Sequence, residues 1–140
     1  MKKTVICIVS TAAVFVLATA LNIQNMIWGG TPSVLGLVFS LVFCACLFVM
    51  PAVAKNRAFA VVSACYAAFS AIASTAGLLA VKGIISDTLA FVVVPPLTAF
   101  CGLSYIMSDY SVFYSVLIAF TLIAALNLIL TARKPAAAKA

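Results

Sequence analysis

The sequence predicts an all-α integral membrane protein: a compact bundle of four full transmembrane helices plus a Pro-broken membrane segment, either re-entrant or a fifth crossing. Three observations lead there. Of 140 residues, 67% are hydrophobic and 7% charged, whereas a soluble domain carries about a quarter charged residues on its shell. The mean hydropathy is +1.34. The apolar residues fall in continuous runs rather than in the alternating ten-residue stretches of a membrane β-barrel. A chain of this length has room for one domain, residues 1–131, followed by a polar tail at 132–140.

The first run covers residues 4–28. Met1-Lys2-Lys3 and the later Ala18-Thr19-Ala20 mimic a cleavable signal peptide. However, the apolar run continues through Trp28, so the expectation is an uncleaved first span. Gly29-Gly30-Thr31-Pro32-Ser33 reads as a turn, with Ser33 placed to cap the second run at 34–54. Lys55-Asn56-Arg57 is a tight basic link to the third run at 58–81. Lys82-Gly83 stops that run, and Ser86-Asp87-Thr88 has the composition of a helix N-cap. A fourth apolar stretch, 88–107, contains Pro95-Pro96. Ser108-Asp109 is a second N-cap signal, ahead of the last run at 110–130.

Twenty helical residues cover the ~30 Å hydrocarbon core, so four of the runs qualify as spans. The fourth is long enough by count, but proline inside a helix costs about 3 kcal/mol or more. Two in a row are expected to force Val94 and Pro95 out of the α region. Charge helps to choose. With five crossings and a cytoplasmic N-terminus, Lys2, Lys3, Lys55 and Arg57 face in while Lys82, Arg133, Lys134 and Lys139 face out, which is no bias. With four crossings and a dipping fourth segment, Lys82 alone faces out, as the positive-inside rule prefers. Asp87, Asp109, Trp28, Tyr105 and Tyr110 then share the outer interface. Five crossings remain the alternative, because non-helical backbone at depth must be shielded.

The third run carries small residues at alternating spacings of three and four: Ala60, Ser63, Ala64, Ala67, Ser70, Ala71, Ser74 and Gly77. On a helix these form one narrow seam that lets another helix approach closely. The third helix is therefore expected to be a central post or a homo-oligomer face. A pathway lined by Ser63, Ser70 and Ser74 is the sharper reading of the same residues. In the first run, Thr4, Thr11, Ala18, Asn22 and Asn25 fall within about 60° of one another at 100° per residue. This stripe reads as a polar seam, or as a vestibule at Asn22 and Asn25 with Gln24 nearby. In the last run, Ser111, Ser115, Tyr114 and Thr121 read as packing residues, with hydroxyls returned to their own backbone.

The absences narrow the function. There is no histidine and the only acids are two aspartates. No lysine lies beside a serine within a span, so no activated nucleophile is visible. No phosphate-binding glycine loop is present. The five cysteines, Cys7, Cys44, Cys46, Cys65 and Cys101, form neither a CxxC pair nor a metal clamp. No catalytic residue, cofactor or metal ligand is therefore assigned. The net charge of +6 sits at the ends of apolar runs and does not make a nucleic-acid surface. The expected setting is the cell membrane with a cytoplasmic N-terminus. The expected partners are the lipid bilayer and either a second copy of the chain or another membrane protein.

The expected role is a non-enzymatic accessory, assembly or interaction subunit. The alternative is a homo-oligomeric channel or small transporter for a neutral or weakly cationic solute. If there is a pathway, its candidate residues are Asn22, Asn25, Asp87, Pro95, Pro96, Thr98 and Asp109. A helix broken at depth is how such proteins expose backbone to a cargo.

Overall fold

The computed structural model describes residues 2–86, 94–107 and 109–133, and these are all helix, turn or connecting loop. Helix α1 is Lys2–Trp28, α2 is Val34–Ala54 and α3 is Arg57–Val81. A short apolar helix, α4, is Val94–Ile106. Helix α5 is Tyr110–Arg133. Helices α1, α2, α3 and α5 are each long and apolar enough to cross a membrane. Asp87, and with it the cap expected at Ser86-Asp87-Thr88, lies outside the described residues. So do residues 134–140, the bulk of the polar tail. Helix α5 runs three residues past the expected end at 130 and takes in Thr131, Ala132 and Arg133.

Local chemistry explains the boundaries. Ser33 accepts a hydrogen bond from the Gly36 N–H at 3.0 Å, satisfying one orphan donor of α2. Helix α2 ends on Lys55 in the left-handed region, φ 49°. Asn56 starts α3 at once, its side chain accepting from the Phe59 N–H at 3.0 Å. At the far end of α3, Gly83 takes φ 69°. Its N–H reaches the Ala80 carbonyl, and the Ile84 N–H reaches that of Leu79. That pair of bonds is the Schellman closure, which only glycine makes without strain. Asp109 caps α5 through the Ser111 N–H at 2.8 Å.

Two antiparallel pairs build the bundle. In the first, the Thr4 hydroxyl donates to the Ala54 carbonyl at 3.4 Å near one end, and Asn22 reaches Gly36 near the other. In the second, Gly77 of α3 lies on the Tyr114 ring of α5, while Arg57 and Arg133 flank one groove at the opposite end. These contacts place Lys2, Lys3, Lys55, Arg57 and Arg133 at one end of the bundle. Trp28, Lys82 and Tyr110 lie at the other. Helix α3 thus finishes at the Trp28 end and α5 starts there, so the connection between them leaves from and returns to the same end.

Helix α2 touches every other helix. The expectation that α3 is the central post is therefore corrected. Helix α3 spends its seam on one neighbour, α5. All eight seam residues, Ala60, Ser63, Ala64, Ala67, Ser70, Ala71, Ser74 and Gly77, are buried. The apolar core lies between the pairs, around Phe43, Leu47, Leu97, Phe100, Leu117 and Leu128.

Candidate functional site

The arrangement most in need of a chemical account is α4. Residues 94–97 are α-helical, and Thr98–Ile106 is a 3-10 helix. Its nine residues exceed the usual three or four. At about 2.0 Å per residue this form covers more distance than an α-helix of equal length. The expectation that Pro95 and Pro96 would hold Val94 and Pro95 out of the α region is overturned. Val94, Pro95, Pro96 and Leu97 are all helical, so both prolines lie within α-helical backbone at residues 94–97.

The neighbours of α4 fix its height. The Tyr66 hydroxyl of α3 donates to the Pro96 carbonyl at 2.8 Å. Tyr66 lies nine residues, about 14 Å, along α3 from Arg57. Further along, the Ser40 hydroxyl of α2 donates to the Ala99 carbonyl at 2.8 Å. Gly102 then meets the backbone of Gly36, so closely that a Cβ on Gly102 would overlap the Gly36 carbonyl. Gly36 lies at the Trp28 end, so α4 climbs from mid-height to that end.

The anchor of this contact is Asn22, which is 0% exposed. Its Nδ2 donates to the Ala18 carbonyl at 2.8 Å, to Ser40 Oγ at 3.2 Å and to the Gly36 carbonyl at 3.4 Å. Its Oδ1 sits where a Gly36 side chain would begin and has no hydrogen-bond partner. Asn22, Gly36, Ser40, Ala99 and Gly102 thus tie α1, α2 and α4 into one node. Glycine at 36 and 102 is required by the approach of the neighbours and not by backbone angle.

The carbonyls of α4 are taken up by protein. Thr98, 1% exposed, donates to the Val94 carbonyl at 2.7 Å. Ser104 donates to that of Cys101 at 2.7 Å. Together with Tyr66 and Ser40, these hydroxyls meet the demand that irregular backbone imposes away from water. Around them is an aromatic cluster. Phe100 lies 5.3 Å from Phe43 and 6.2 Å from both Tyr66 and Phe120, centroid to centroid. Phe15 closes the α1 side, 5.4 Å from Phe43. Each such pair adds about 0.5–1.5 kcal/mol beyond its buried area.

The remaining candidates do not join this cluster. Asn25 is half-buried, its side chain against Gly30. Gln24 is exposed, and Asn22 is sealed, so these three form no vestibule within one chain. Pro95 is exposed while Pro96 is buried. Asp109 is exposed and serves as the cap of α5. Ser74 returns its hydroxyl to the Ser70 carbonyl at 2.8 Å, and both serines are wholly buried against other helices. Thr11 likewise bonds back to Cys7 at 2.8 Å.

Sequence reasoning missed Gly36, Ser40, Tyr66 and Phe100. A signal existed for two of them. Gly36, Ser40, Phe43, Leu47 and Pro51 recur at spacings of four and three and are all buried on α2. High hydropathy across the whole run hid that stripe. Nothing in the sequence pairs Tyr66 with Pro96.

Neither a family model, nor a curated protein, nor a solved structure matches this chain.

Proposed function

We propose that the chain is a small, non-enzymatic, multi-pass membrane protein that works as an assembly or interaction subunit. In this reading α1, α2, α3 and α5 cross the bilayer, and α4 is the returning limb of a re-entrant segment. Both ends of the chain face the cytoplasm. The positive-inside rule supports that orientation: Lys2, Lys3, Lys55, Arg57 and Arg133 share one end, and Lys82 sits at the other.

The observation that carries the reading is the closed centre. The carbonyls of Val94, Pro96, Ala99 and Cys101 each accept a side-chain hydroxyl. The Phe15, Phe43, Tyr66, Phe100 and Phe120 rings pack against one another at the centre. Among the described residues, these four carbonyls are satisfied within the chain and are not offered to a solute. Its free surface is the outside. The α3 seam is taken by α5, so a partner has to use another face. Helix α1 is the best suited, burying only Cys7, Ala18 and Asn22 over 27 residues.

The test is in-membrane cross-linking from single cysteines in a Cys-free background. Val9→Cys and Val16→Cys on α1 are expected to give cross-linked partners or dimers, and Leu122→Cys on α5 is not. Equal yields at all three would remove the reading. The orientation is checked separately with impermeant thiol reagents. Ile84→Cys and Asp109→Cys are expected to label from the same side, outside. Labelling from opposite sides would mean a fifth crossing.

The half-height of α4 favours a second reading, a homo-oligomeric channel or small transporter. Half-helices ending near the midplane build many solute sites. Purified protein in liposomes is expected to give flat flux for neutral and weakly cationic solutes. Flux that responds to Asn22→Ala or Pro96→Ala, with insertion unchanged, would establish the second reading over the first.

A further inference from the structure

A groove of about 320 Å³ opens between α3 and α5 at the basic end of the bundle. Arg57 and Arg133 flank it. Between them its walls are apolar: Val61, Ala64 and Ala68 from α3 and Ile129 from α5. The volume is at the lower end of the range for ligand sites. Among the described residues, no carboxyl side chain lines the groove. The only carboxyl side chains, Asp87 and Asp109, belong by sequence to the connection between α3 and α5. That connection leaves from and returns to the opposite end.

We infer that this groove binds an anionic glycerophospholipid, its phosphate held by Arg57 and Arg133 and an acyl chain lying along Val61, Ala64, Ala68 and Ile129. The inference rests on the bundle spanning a bilayer. Charge complementarity selects the occupant. Two guanidiniums present flat donor forks, which match phosphate oxygens in pairs. Both guanidiniums are exposed at the flanks of the groove, and an uncharged helix face from a partner would give them no counter-charge, whereas a phosphate does. Small residues on the α3 wall provide the second half of the fit. Ala64 and Ala68 are one turn apart, and between helices they leave a trough for close van der Waals contact with a chain. Basic pockets between membrane helices at the cytoplasmic end are a recurrent setting for such headgroups.

The experiment uses the full chain in detergent with added palmitoyl-oleoyl phosphatidylglycerol or phosphatidylcholine, read by native mass spectrometry. Phosphatidylglycerol is expected to be retained in preference. Arg57→Gln and Arg133→Gln are each expected to weaken it about fivefold, the effect of one basic residue near an anionic headgroup. Lys55→Gln removes a charge at the same end but outside the groove, and is expected to change retention less than twofold. Ala68→Leu alters no charge at an exposed position and is expected to lower retention of phosphatidylglycerol by filling the trough.

Equal retention of the two lipids overturns the proposal. So does a double arginine variant that binds like the parent, or an effect of Lys55→Gln as large as that of either arginine. A dimer mass that displaces lipid would assign the groove to a second copy of the chain. Alkaline extraction of native membranes separates the underlying reading. Protein that leaves the membrane fraction overturns both, whereas protein that stays but lacks lipid preference overturns only this one.

Discussion

The α3/α5 pair and the α1/α2/α4 group reach close packing by different means. Helices α3 and α5 meet along a seam of alanines and serines with Gly77 set against the flat ring of Tyr114. No side chain in that contact depends on a hydrogen bond from the other helix: Ser74 and Thr121 both bond within their own helices. Helices α1, α2 and α4 meet at a point, through Asn22, Ser40, two glycines and a backbone carbonyl that needs a donor. A seam spreads its energy over many small contacts, and any one of them can relax. A node concentrates it where backbone meets backbone, and backbone cannot give way. The node should therefore be the brittle part of the molecule and the seam the tolerant part.

The largest effect is expected at Gly102. A Cβ there meets the carbonyl of Gly36 and the Ser40 hydroxyl. Relief would require α4 to move off α2, which breaks the Ser40 to Ala99 bond as well. Gly102→Val should cost about 3 kcal/mol, the upper part of the range for overpacking. Thermal challenge of detergent-purified protein, followed by size exclusion, measures this. A monodisperse variant melting within a degree or two of the parent would show that α4 is not clamped against α2.

Gly77→Ala is the matching change in the seam. The nearest atoms its Cβ meets all belong to the Tyr114 ring, which can turn. About 1–2 kcal/mol is expected. A double cycle with Tyr114→Leu sharpens the comparison. The two changes together should cost less than their sum, since they share one contact. Strict additivity would place the loss elsewhere.

The same contrast governs what could be read in the sequence. The α3 seam is periodic, so eight of the nine residues that α3 buries stand out in the sequence, all but Ala73. So do the capping residues Ser33 and Asp109, whose effect is local. The node is not periodic. Asn22 falls on a visible polar stripe, but its partners are a glycine 14 residues away and a serine 18 residues away. Ser40 bonds a carbonyl 59 residues on. Contacts of that range depend on how three helices are set against one another. The prolines misled for a related reason. Pro95-Pro96 reads as a break by composition, yet residues 94–97 are helical and pass into the 3-10 helix Thr98–Ile106.

Ser40→Ala tests the polar part of the node without steric change. It removes the donor to Ala99 and one acceptor for Asn22. Interhelical hydrogen bonds in membrane proteins average about 0.6 kcal/mol, but a buried carbonyl left without a donor costs about 1–3 kcal/mol. A loss near 1 kcal/mol is expected in the same melting assay. A null result would mean that the glycine contact alone holds α4 in place.

Ser74→Ala should have the smallest effect of all, and the comparison stands or falls on it. Ser74 is as buried as Ser40, and each is 0% exposed. Burial alone would predict equal penalties. The difference lies in where the hydroxyl goes. Ser74 Oγ donates to Ser70, one turn back on the same helix, and that carbonyl still has the helical N–H of residue 74. Alanine there leaves nothing unsatisfied, removes one small atom from the seam and slightly raises helix propensity. A change within about 0.5 kcal/mol of zero is expected. A loss equal to that of Ser40→Ala would mean that depth in the bundle, and not the reach of a hydroxyl to another helix, decides which serines hold this protein together.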